Sequence, residues 1–401
     1  MSIIASLCIR KILDSRGNLT VEVDVKTEGG CGRASAPSGA STGKFEAMSF
    51  SPGGIDADVG NFVSAVAPAL KGMDASRQEE IDKRLHELDG TENFSKIGGS
   101  VAIATSIAVA KAAADSRGLP LYRYLAGSGE VSIPMPLGNV LGGGAHAVGG
   151  TDVQEFLSLA SGSSALESMT ANAKLHRLVK QKLVEHLPED AIGKGDEGAW
   201  VASIGNEKAM EILVESCRQI TGETGVRCSP SLDMAASTFF HGGMYHYREG
   251  TLSREDQIEF VADLIDEYKL VYVEDPLFEE DFEGFARLTE QCGKKCMIVG
   301  DDLFVTDRER LKRGISMNAA NAIIIKPNQI GTLTDALDTL SLAEEADYRA
   351  IVSHRSGETT DNAIAHLSVA SRSLAIKTGA VGGERIAKLN ELIRIEEELK
   401  S

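Results

Sequence analysis

Hydrophobic and polar residues alternate strictly near the N-terminus of the chain. Val21, Val23 and Val25 lie on one side of the stretch 20–26, with charged residues between and after them. A period of two is typical of a strand that buries one face. The polar residues 14–18 come just before this strand, and such a cluster next to an alternating segment predicts the turn of a hairpin.

Two helical patterns follow the hairpin. Residues 78–88 carry apolar positions at spacings of four and three, which predicts an amphipathic helix. Residues 98–117 are rich in alanine and apolar on most sides, which predicts a buried helix. Strands followed by helices are typical of an α+β unit. We therefore expect a smaller N-terminal α+β capping domain over residues 1–127.

The rhythm changes beyond this point. Short apolar runs alternate with amphipathic stretches that predict helices, such as 254–268 and 332–346. Fully apolar strands separated by helices indicate a parallel sheet covered on both faces. The pattern continues for about 270 residues, the size of a TIM-type β/α barrel. We expect this barrel over 128–401, with a doubly wound sheet as the alternative. The runs are residues 271–273, 297–299, 323–325 and 350–352.

An ionisable residue follows each apolar run, and two further strand-like segments end in the same way. Successive members of this set are 41, 27, 25, 28 and 23 residues apart, about one strand–helix unit each. A single acid after a strand is commonly a helix N-cap. Because a barrel gathers the C-terminal ends of its strands at one mouth, six such residues indicate a shared cleft. They are Asp233, Glu274, Asp301, Lys326, His354 and Lys377.

Three of these residues are carboxylates, and like charges a few ångströms apart disfavour one another's ionised form. A divalent cation would remove that conflict. All the candidate ligands offer hard oxygen atoms, which favours magnesium, or manganese in its place, over zinc. The sequence therefore predicts a magnesium site formed by Asp233, Glu274 and Asp301.

Two lysines beside such a site suit proton abstraction. Neighbouring cations and burial lower the pKa of a lysine, so we expect its free amine to accept a proton near neutrality. Removing a proton next to a carboxylate creates a dianion that only metals and cations can stabilise. The combination of three acids with Lys326 and Lys377 indicates proton abstraction α to a carboxylate.

Eight stretches of the sequence form a recognisable set: LDSRGN at 13–18, SGASTG at 38–43, GDEG at 195–198, VEDP at 273–276, GDDL at 300–303, IKPNQIGT at 325–332, VSHRSGET at 352–359 and IKTGA at 376–380. Together they resemble the enolase family (phosphopyruvate hydratases) over essentially the whole chain. Enolase-type sites are themselves a known instance of a lysine or histidine base beside magnesium.

The resemblance implies reversible dehydration of 2-phosphoglycerate to phosphoenolpyruvate. By motif, Lys326 would remove the C2 proton while the three acids hold the first magnesium. Glu197, in GDEG, would be the general acid for the departing C3 hydroxide, with Glu155 beside it. Lys377 would stabilise the charged carboxylate of the substrate, and we also count His354 among the catalytic residues.

The remaining assignments from the resemblance concern the substrate's phosphate and the loops around it. Arg355 and Ser356 would hold the phosphate, the arginine by a two-pronged contact. The 38–43 loop would close and bring Ser41 onto a second magnesium. His146 would come from a mobile loop in a glycine-rich stretch, and Gln154 would join Glu155 in contacting the substrate.

Composition and charge limit the classes of partner that the chain is expected to bind. Among 401 residues, Lys and Arg number 41 against 59 Asp and Glu, a formal charge of −18, which argues against nucleic acid and anionic membranes. No apolar stretch is long enough to span a bilayer. Six scattered cysteines without a CxxC motif indicate reduced thiols and a cytoplasmic location. The resemblance implies a homo-oligomer, a dimer or a ring of dimers.

Two other functions stay open at this point. One is a racemase or cycloisomerase of the same superfamily, which would use the same metal triad; the phosphate-site and lid stretches argue against it. The other is a related chain used as a binding or scaffold protein, which the presence of every assigned catalytic group argues against.

Overall fold

The computed structural model describes residues 2–39, 44–144, 149–187 and 192–401. Its N-terminal part consists of three strands followed by helices, in the order that the pattern predicted. The strands are β1 (Ile4–Leu13), β2 (Leu19–Thr27) and β3 (Cys31–Ser35); the helices are α1 (Gly54–Asn61), which continues through a π-helical turn (Phe62–Val66), α2 (Ala67–Leu70), α3 (Gln78–Asp89), α4 (Gly99–Ser116) and α5 (Leu121–Ala126).

The predicted hairpin is present, and its valines form the floor of the N-terminal core. Strand β2 pairs antiparallel with β1 and β3, and Val21, Val23 and Val25 are fully buried. Helix α4 lies so close to the sheet that a Cβ on Gly32 would come within 2.0 Å of the carbonyl oxygen of Ala108. Glycine is therefore required where this helix crosses β3.

The second part of the chain alternates strands and helices, and short hairpin strands accompany them. The main strands are β4 (Met135–Gly142), β5 (Glu155–Ser161), β8 (Arg227–Asp233), β12 (Tyr272–Glu274), β13 (Met297–Gly300), β14 (Ala322–Ile325), β15 (Arg349–Ser353) and β16 (Ala375–Lys377). The accessory strands are β6 (Gly193–Lys194), β7 (Trp200–Val201), β9 (Phe240–His241), β10 (Met244–Tyr247) and β11 (Gly250–Leu252). The helices are α6 (Ala165–His186), α7 (Asn206–Thr224), α8 (Arg254–Tyr268), α9 (Phe282–Cys292), α10 (Arg308–Met317), α11 (Pro327–Ile330), α12 (Leu333–Glu345), α13 (Ala363–Ala370) and α14 (Gly383–Lys400), and a 3-10 turn covers Ala236–Phe239.

Eight of these strands close into a barrel, which confirms the predicted fold class. The order is β4-β5-β8-β12-β13-β14-β15-β16, and β16 pairs in parallel with β4 to complete the ring. One strand departs from the expected parallel sheet: β5 runs antiparallel to both of its neighbours. The reason is that β4 and β5 form a hairpin, so the chain reverses direction at the barrel mouth instead of crossing over through a helix.

The interior of the barrel is a packed core and not a channel. Inward side chains from the strands are buried against one another, as in other barrels of this size. The outward faces of the strands pack under the helices and join the main hydrophobic core. The interior cluster is Leu137, Leu157, Leu159, Tyr272, Val299, Ala322, Ile324, Ile351 and Ala375.

The connection between the two parts contains the predicted domain boundary. Helix α5 ends at Ala126 and β4 begins at Met135, and the division at 127 and 128 stays a prediction. Among the described residues, none of the helices combines the length and the apolar character that crossing a bilayer requires.

Helix α8 starts with a capping box, whose removal tests how much the cap stabilises the protein. The Ser253 hydroxyl accepts from the backbone N–H of Asp256 at 3.2 Å, and Oδ2 of Asp256 accepts from the backbone N–H of Ser253 at 3.3 Å. We expect Ser253→Ala to lower the free energy of unfolding by about 1 kcal/mol, because one helix N–H loses its acceptor. Ser341→Ala, at an exposed position inside α12, is the control. Equal urea midpoints for the two variants would contradict the prediction.

Candidate active site

The mouth of the barrel gathers acidic side chains from neighbouring strands. Asp233 ends β8 and Glu274 ends β12, and the two residues are paired in register. Glu155 opens β5 and is paired with Asp233 on its other side. Because β5 is antiparallel, its first residue lies at the same mouth as the last residues of its neighbours. All three carboxylates are buried.

The ammonium group of Lys377 lies among these three carboxylates. Its Nζ donates to Oδ2 of Asp233 at 2.8 Å and to the two carboxylate oxygens of Glu274 at 2.9 and 2.8 Å. It also lies 3.3 Å from Oε2 of Glu155. Burial alone would lower the pKa of this amine, but the carboxylates raise it well above its ordinary value. Lys377 is therefore a fixed positive charge in the cleft.

Lys326, which follows β14, forms an ion pair with Asp301, which follows β13. We expected burial and neighbouring cations to lower the pKa of Lys326. Burial, Arg355 and Lys377 do act in that direction, but the carboxylates of Asp301 and Glu274 outweigh them and the pKa is raised. The expectation of a free amine is therefore wrong for the protein groups alone, because Asp301 is in direct contact with the lysine.

The carboxylates at this end of the cleft outnumber the two lysines, Lys326 and Lys377. Full burial, and then the charge of Asp233, raise the pKa of Glu274 well above its ordinary value. The hydroxyl of Tyr272 donates to the same carboxylate. Asp233, Glu274 and Asp301 offer only carboxylate oxygens, the ligands that magnesium prefers. This donor set and its excess negative charge fit a divalent cation.

A second cluster of carboxylates shares Asp301 with the predicted metal ligands. Carboxylate oxygens of Asp275, Asp301 and Asp302 lie within 4.8 Å of one another. Asp275 accepts from the backbone N–H groups of Asp301 at 3.0 Å and Asp302 at 2.8 Å, so it fixes the chain where β13 ends. Burial and the charge of Asp301 raise the pKa of Asp302 to about 7. Asp275 thus orients one of the predicted metal ligands through its backbone.

Glu197 and His354 form another pair of groups in the cleft. Nε2 of His354 lies 3.3 Å from Oε2 of Glu197, and Nδ2 of Asn139 donates to the same oxygen at 3.3 Å. Burial and the guanidinium of Arg385 lower the pKa of His354 to about 4. The imidazole is therefore neutral near pH 7, and it faces the carboxyl group that the motif assigned as the acid.

Arg355 is held against a carboxylate from the N-terminal part of the chain. Its Nη1 lies 2.9 Å from Oε2 of Glu46, and its Nη2 donates to Oε1 at 3.2 Å. The loop that carries Arg355 and Ser356 is braced by Glu358, which accepts from the backbone of Arg355 at 3.2 Å and from Nζ of Lys388 at 2.6 Å. The buried ion pair between Glu358 and Lys388 therefore stabilises the loop that carries the predicted phosphate ligands.

The structure brings most of the predicted residues into this one cleft. Gln154 belongs to it, since its amide donates to Oδ2 of Asp233 at 3.3 Å. Glu274 lies just below the cleft lining and accepts a hydrogen bond from Lys377. Ser41 and His146 lie outside the described residues, so their positions stay predictions. The predicted residues that line the cleft are Gln154, Glu155, Glu197, Asp233, Asp301, Lys326, His354, Arg355, Ser356 and Lys377.

Sequence reasoning missed several groups that shape the cleft. Asp275 could have been found, because it directly follows Glu274 at a strand end. Glu46 lies 309 residues from its partner Arg355, and no local spacing marks the pair. Asn139 lies inside an apolar strand, and a single buried amide has no pattern of its own.

Comparison with known proteins covers nearly the whole chain. The family model for the enolase C-terminal TIM barrel domain matches residues 130–401, and the model for the enolase N-terminal domain matches residues 4–125. Proteins named enolase from Methanosphaera stadtmanae and Methanothermobacter thermautotrophicus are each 54% identical to it, over 99% of this chain and 98% and 97% of theirs. The enolase of Natronomonas pharaonis is 51% identical over 99% of both chains.

These matches confirm the family that the sequence motifs indicated. They support enolase activity, the lyase class and a place in glycolysis, and they give no support to the racemase or scaffold alternatives. Enolases are magnesium-dependent, in agreement with the donor set at the barrel mouth. The chain belongs to the enolase family.

Proposed function

We propose that this chain dehydrates 2-phosphoglycerate reversibly to phosphoenolpyruvate, with a lysine as base and a glutamic acid as acid. The observation that carries the proposal is the arrangement of the cleft. Lys326 forms an ion pair with Asp301, and Lys377 forms one with Asp233. Glu197 lies 3.3 Å from His354. The lysines and acids can stabilise negative charge next to a carboxylate, and Glu197 can deliver a proton.

Asp233, Glu274 and Asp301 would hold the first magnesium. When bound, the ion supplies positive charge to the substrate carboxylate, on which negative charge builds up as the C2 proton leaves. Lys377 contributes to the same stabilisation, because its ammonium is already fixed by the carboxylates around it. A cation on Asp301 would also weaken the ion pair that raises the pKa of Lys326.

Lys326 would take the C2 proton onto Nζ, and the electron pair of the broken C–H bond would be shared with the substrate carboxylate. That pair then forms the C2–C3 double bond as the C3–O bond breaks. The oxygen leaves with its bonding electrons, takes the proton of Glu197 and departs as water. The C2 proton thus moves to Nζ of Lys326, and the oxygen on C3 receives its proton from Glu197.

Arg355 and Ser356 would bind the phosphate group. The two carboxylate oxygens of Glu46 contact Nη1 and Nη2 of Arg355, which restrains the guanidinium beside the cleft. The guanidinium is therefore oriented before the substrate arrives, which lowers the entropic cost of binding. Gln154 and Glu155 would complete the contacts to the substrate on the β5 side of the cleft.

Three finer features also belong to the proposal. Ser41 would bind a second magnesium when its loop closes, and His146 would approach the substrate from the other loop. The chain would form a homo-oligomer, a dimer or a ring of dimers, in the cytoplasm. Sedimentation of the full chain measures the oligomeric state.

The direct test follows the ultraviolet absorbance of phosphoenolpyruvate. We expect absorbance to rise when the chain is mixed with 2-phosphoglycerate and magnesium, and to stay flat when a chelator removes the metal. Manganese should restore part of the rate. The reverse reaction, from phosphoenolpyruvate, should lower the absorbance. No signal at micromolar concentrations of the chain with magnesium present would contradict the proposed function.

A further inference from the structure

Arg385 is a fully buried arginine with no role in the reaction described so far. It lies near the start of α14, and its side chain has no exposed surface. Burying a guanidinium is costly unless acceptors meet its N–H groups. Its contacts therefore indicate its purpose.

The donors of Arg385 reach the two segments that carry His354 and Glu197. Its Nη1 contacts Nδ1 of His354 at 2.8 Å and donates to the carbonyl oxygen of Arg355 at 2.6 Å. Its Nη2 donates to the carbonyl oxygens of Ser356 at 2.8 Å and Asp196 at 3.2 Å. One side chain thus ties the loop after β15 to the turn that presents Glu197.

We propose that Arg385 is a positioning residue that fixes the tautomer of His354 and thereby directs the proton of Glu197. A guanidinium has donors only, so Nδ1 of His354 must be the acceptor in their contact. The single proton of the neutral imidazole then resides on Nε2. Nε2 is the nitrogen that lies 3.3 Å from Oε2 of Glu197.

This tautomer favours proton delivery, an argument that rests on the proposed role of Glu197. Oε2 accepts from Asn139 and lies 3.3 Å from Nε2 of His354, so the acid form of Glu197 carries its proton on Oε1. The contact from Nε2–H strengthens as Glu197 becomes a carboxylate, which favours release of the proton to the departing hydroxide. In the opposite tautomer, Nε2 would be an acceptor and would retain the proton of Glu197.

The surroundings of Arg385 are shaped to its side chain. A Cβ on Gly382 or Gly379 would come within 3.2 and 3.3 Å of its Cγ, and both glycines have positive φ. A lysine at this position could still offer a donor to Nδ1, but it lacks the planar fork that reaches several carbonyl oxygens at once. We therefore expect Arg385→Lys to keep the tautomer of His354 and to retain only part of the activity.

The experiment compares Arg385→Met with Arg385→Lys, and with Arg287→Met at an exposed position as the control. Two rates are measured on the full chain with magnesium: deuterium exchange at C2 of 2-phosphoglycerate, and dehydration. We expect Arg385→Met to lower dehydration about 10- to 100-fold, by analogy with the loss of a group that orients a metal-bound histidine, while exchange changes little. Arg385→Lys should restore part of the loss. Equal losses in both rates, or none in either, would overturn the proposal.

Nitrogen-15 spectra of histidine-labelled protein report the tautomer directly. We expect Nε2–H for His354 in the unmodified chain, assigned by the signal that disappears in His354→Gln; Nδ1–H would overturn the proposal. This measurement stands even if Arg385→Met does not fold, or if the chain shows no exchange at all and the proposed function fails.

A second pair of variants tests the same contact from the side of His354. The amide of glutamine can accept from Arg385 and donate to Glu197, whereas leucine can do neither. His354→Gln should therefore keep a higher ratio of dehydration to exchange than His354→Leu. The same ratio in the two variants would overturn the proposal.

Discussion

Lys326→Ala is expected to abolish exchange of the C2 proton of 2-phosphoglycerate with solvent. The amine is the proposed base, and general bases contribute about 10²- to 10⁴-fold to such steps. Because Lys326 is the group assigned to take the proton directly from carbon, we expect a loss near the upper end of that range. Dehydration should fall by the same factor, because it follows proton removal.

The measurement is deuterium incorporation at C2, read by NMR after incubation in heavy water with magnesium. Lys312→Ala, which removes an exposed lysine on α10, should leave the exchange rate unchanged. Magnesium binding should survive in Lys326→Ala, since the three carboxylate ligands remain. Exchange at the unmodified rate in Lys326→Ala would show that another group is the base.

Glu197→Gln is expected to separate the two halves of the reaction. Glutamine keeps the size of the side chain and can still accept from His354 and Asn139, but it has no acidic proton for the departing hydroxide. Dehydration should fall by about 10²- to 10⁴-fold, the usual contribution of a general acid. Exchange at C2 should persist, because Lys326 and the magnesium ligands are untouched.

The control for this variant is Glu211→Gln, at an exposed ion pair on α7, which should change neither rate. Both rates are measured on the same sample, so a folding defect would lower them together. Loss of exchange along with dehydration in a folded Glu197→Gln protein would mean that the acid and the base cannot be assigned to separate steps.

Much of the cleft was predictable because its residues directly follow apolar strands. Asp233, Glu274 and Lys377 end β8, β12 and β16, while Asp301 and Lys326 immediately follow β13 and β14. A strand and the residue after it are neighbours in the chain, so an apolar run marks both. Closure of the barrel then brings all the strand ends together.

Glu155 shows the limit of that reasoning. It begins a strand instead of ending one, so the strand-end pattern alone excludes it from the mouth. The antiparallel direction of β5 places it beside Asp233. Only the family resemblance had marked it, because strand direction depends on which strands pair and not on the composition of β5.

The amino-acid sequence by itself determined the alternation of strands and helices, the capping sheet, and the acids and lysines at the strand ends, since hydrophobic periodicity and the residue after each strand are local properties. Closure of the strands into a barrel, in place of a doubly wound sheet, was decided by the pairing of β16 with β4. The tertiary structure decided the pairing of Arg355 with Glu46, the contact of Arg385 with His354, and the raised pKa of Lys326. These depend on distances between groups far apart in the chain. Hydrogen bonds and Coulomb interactions act over a few ångströms, and only the folded chain sets those distances.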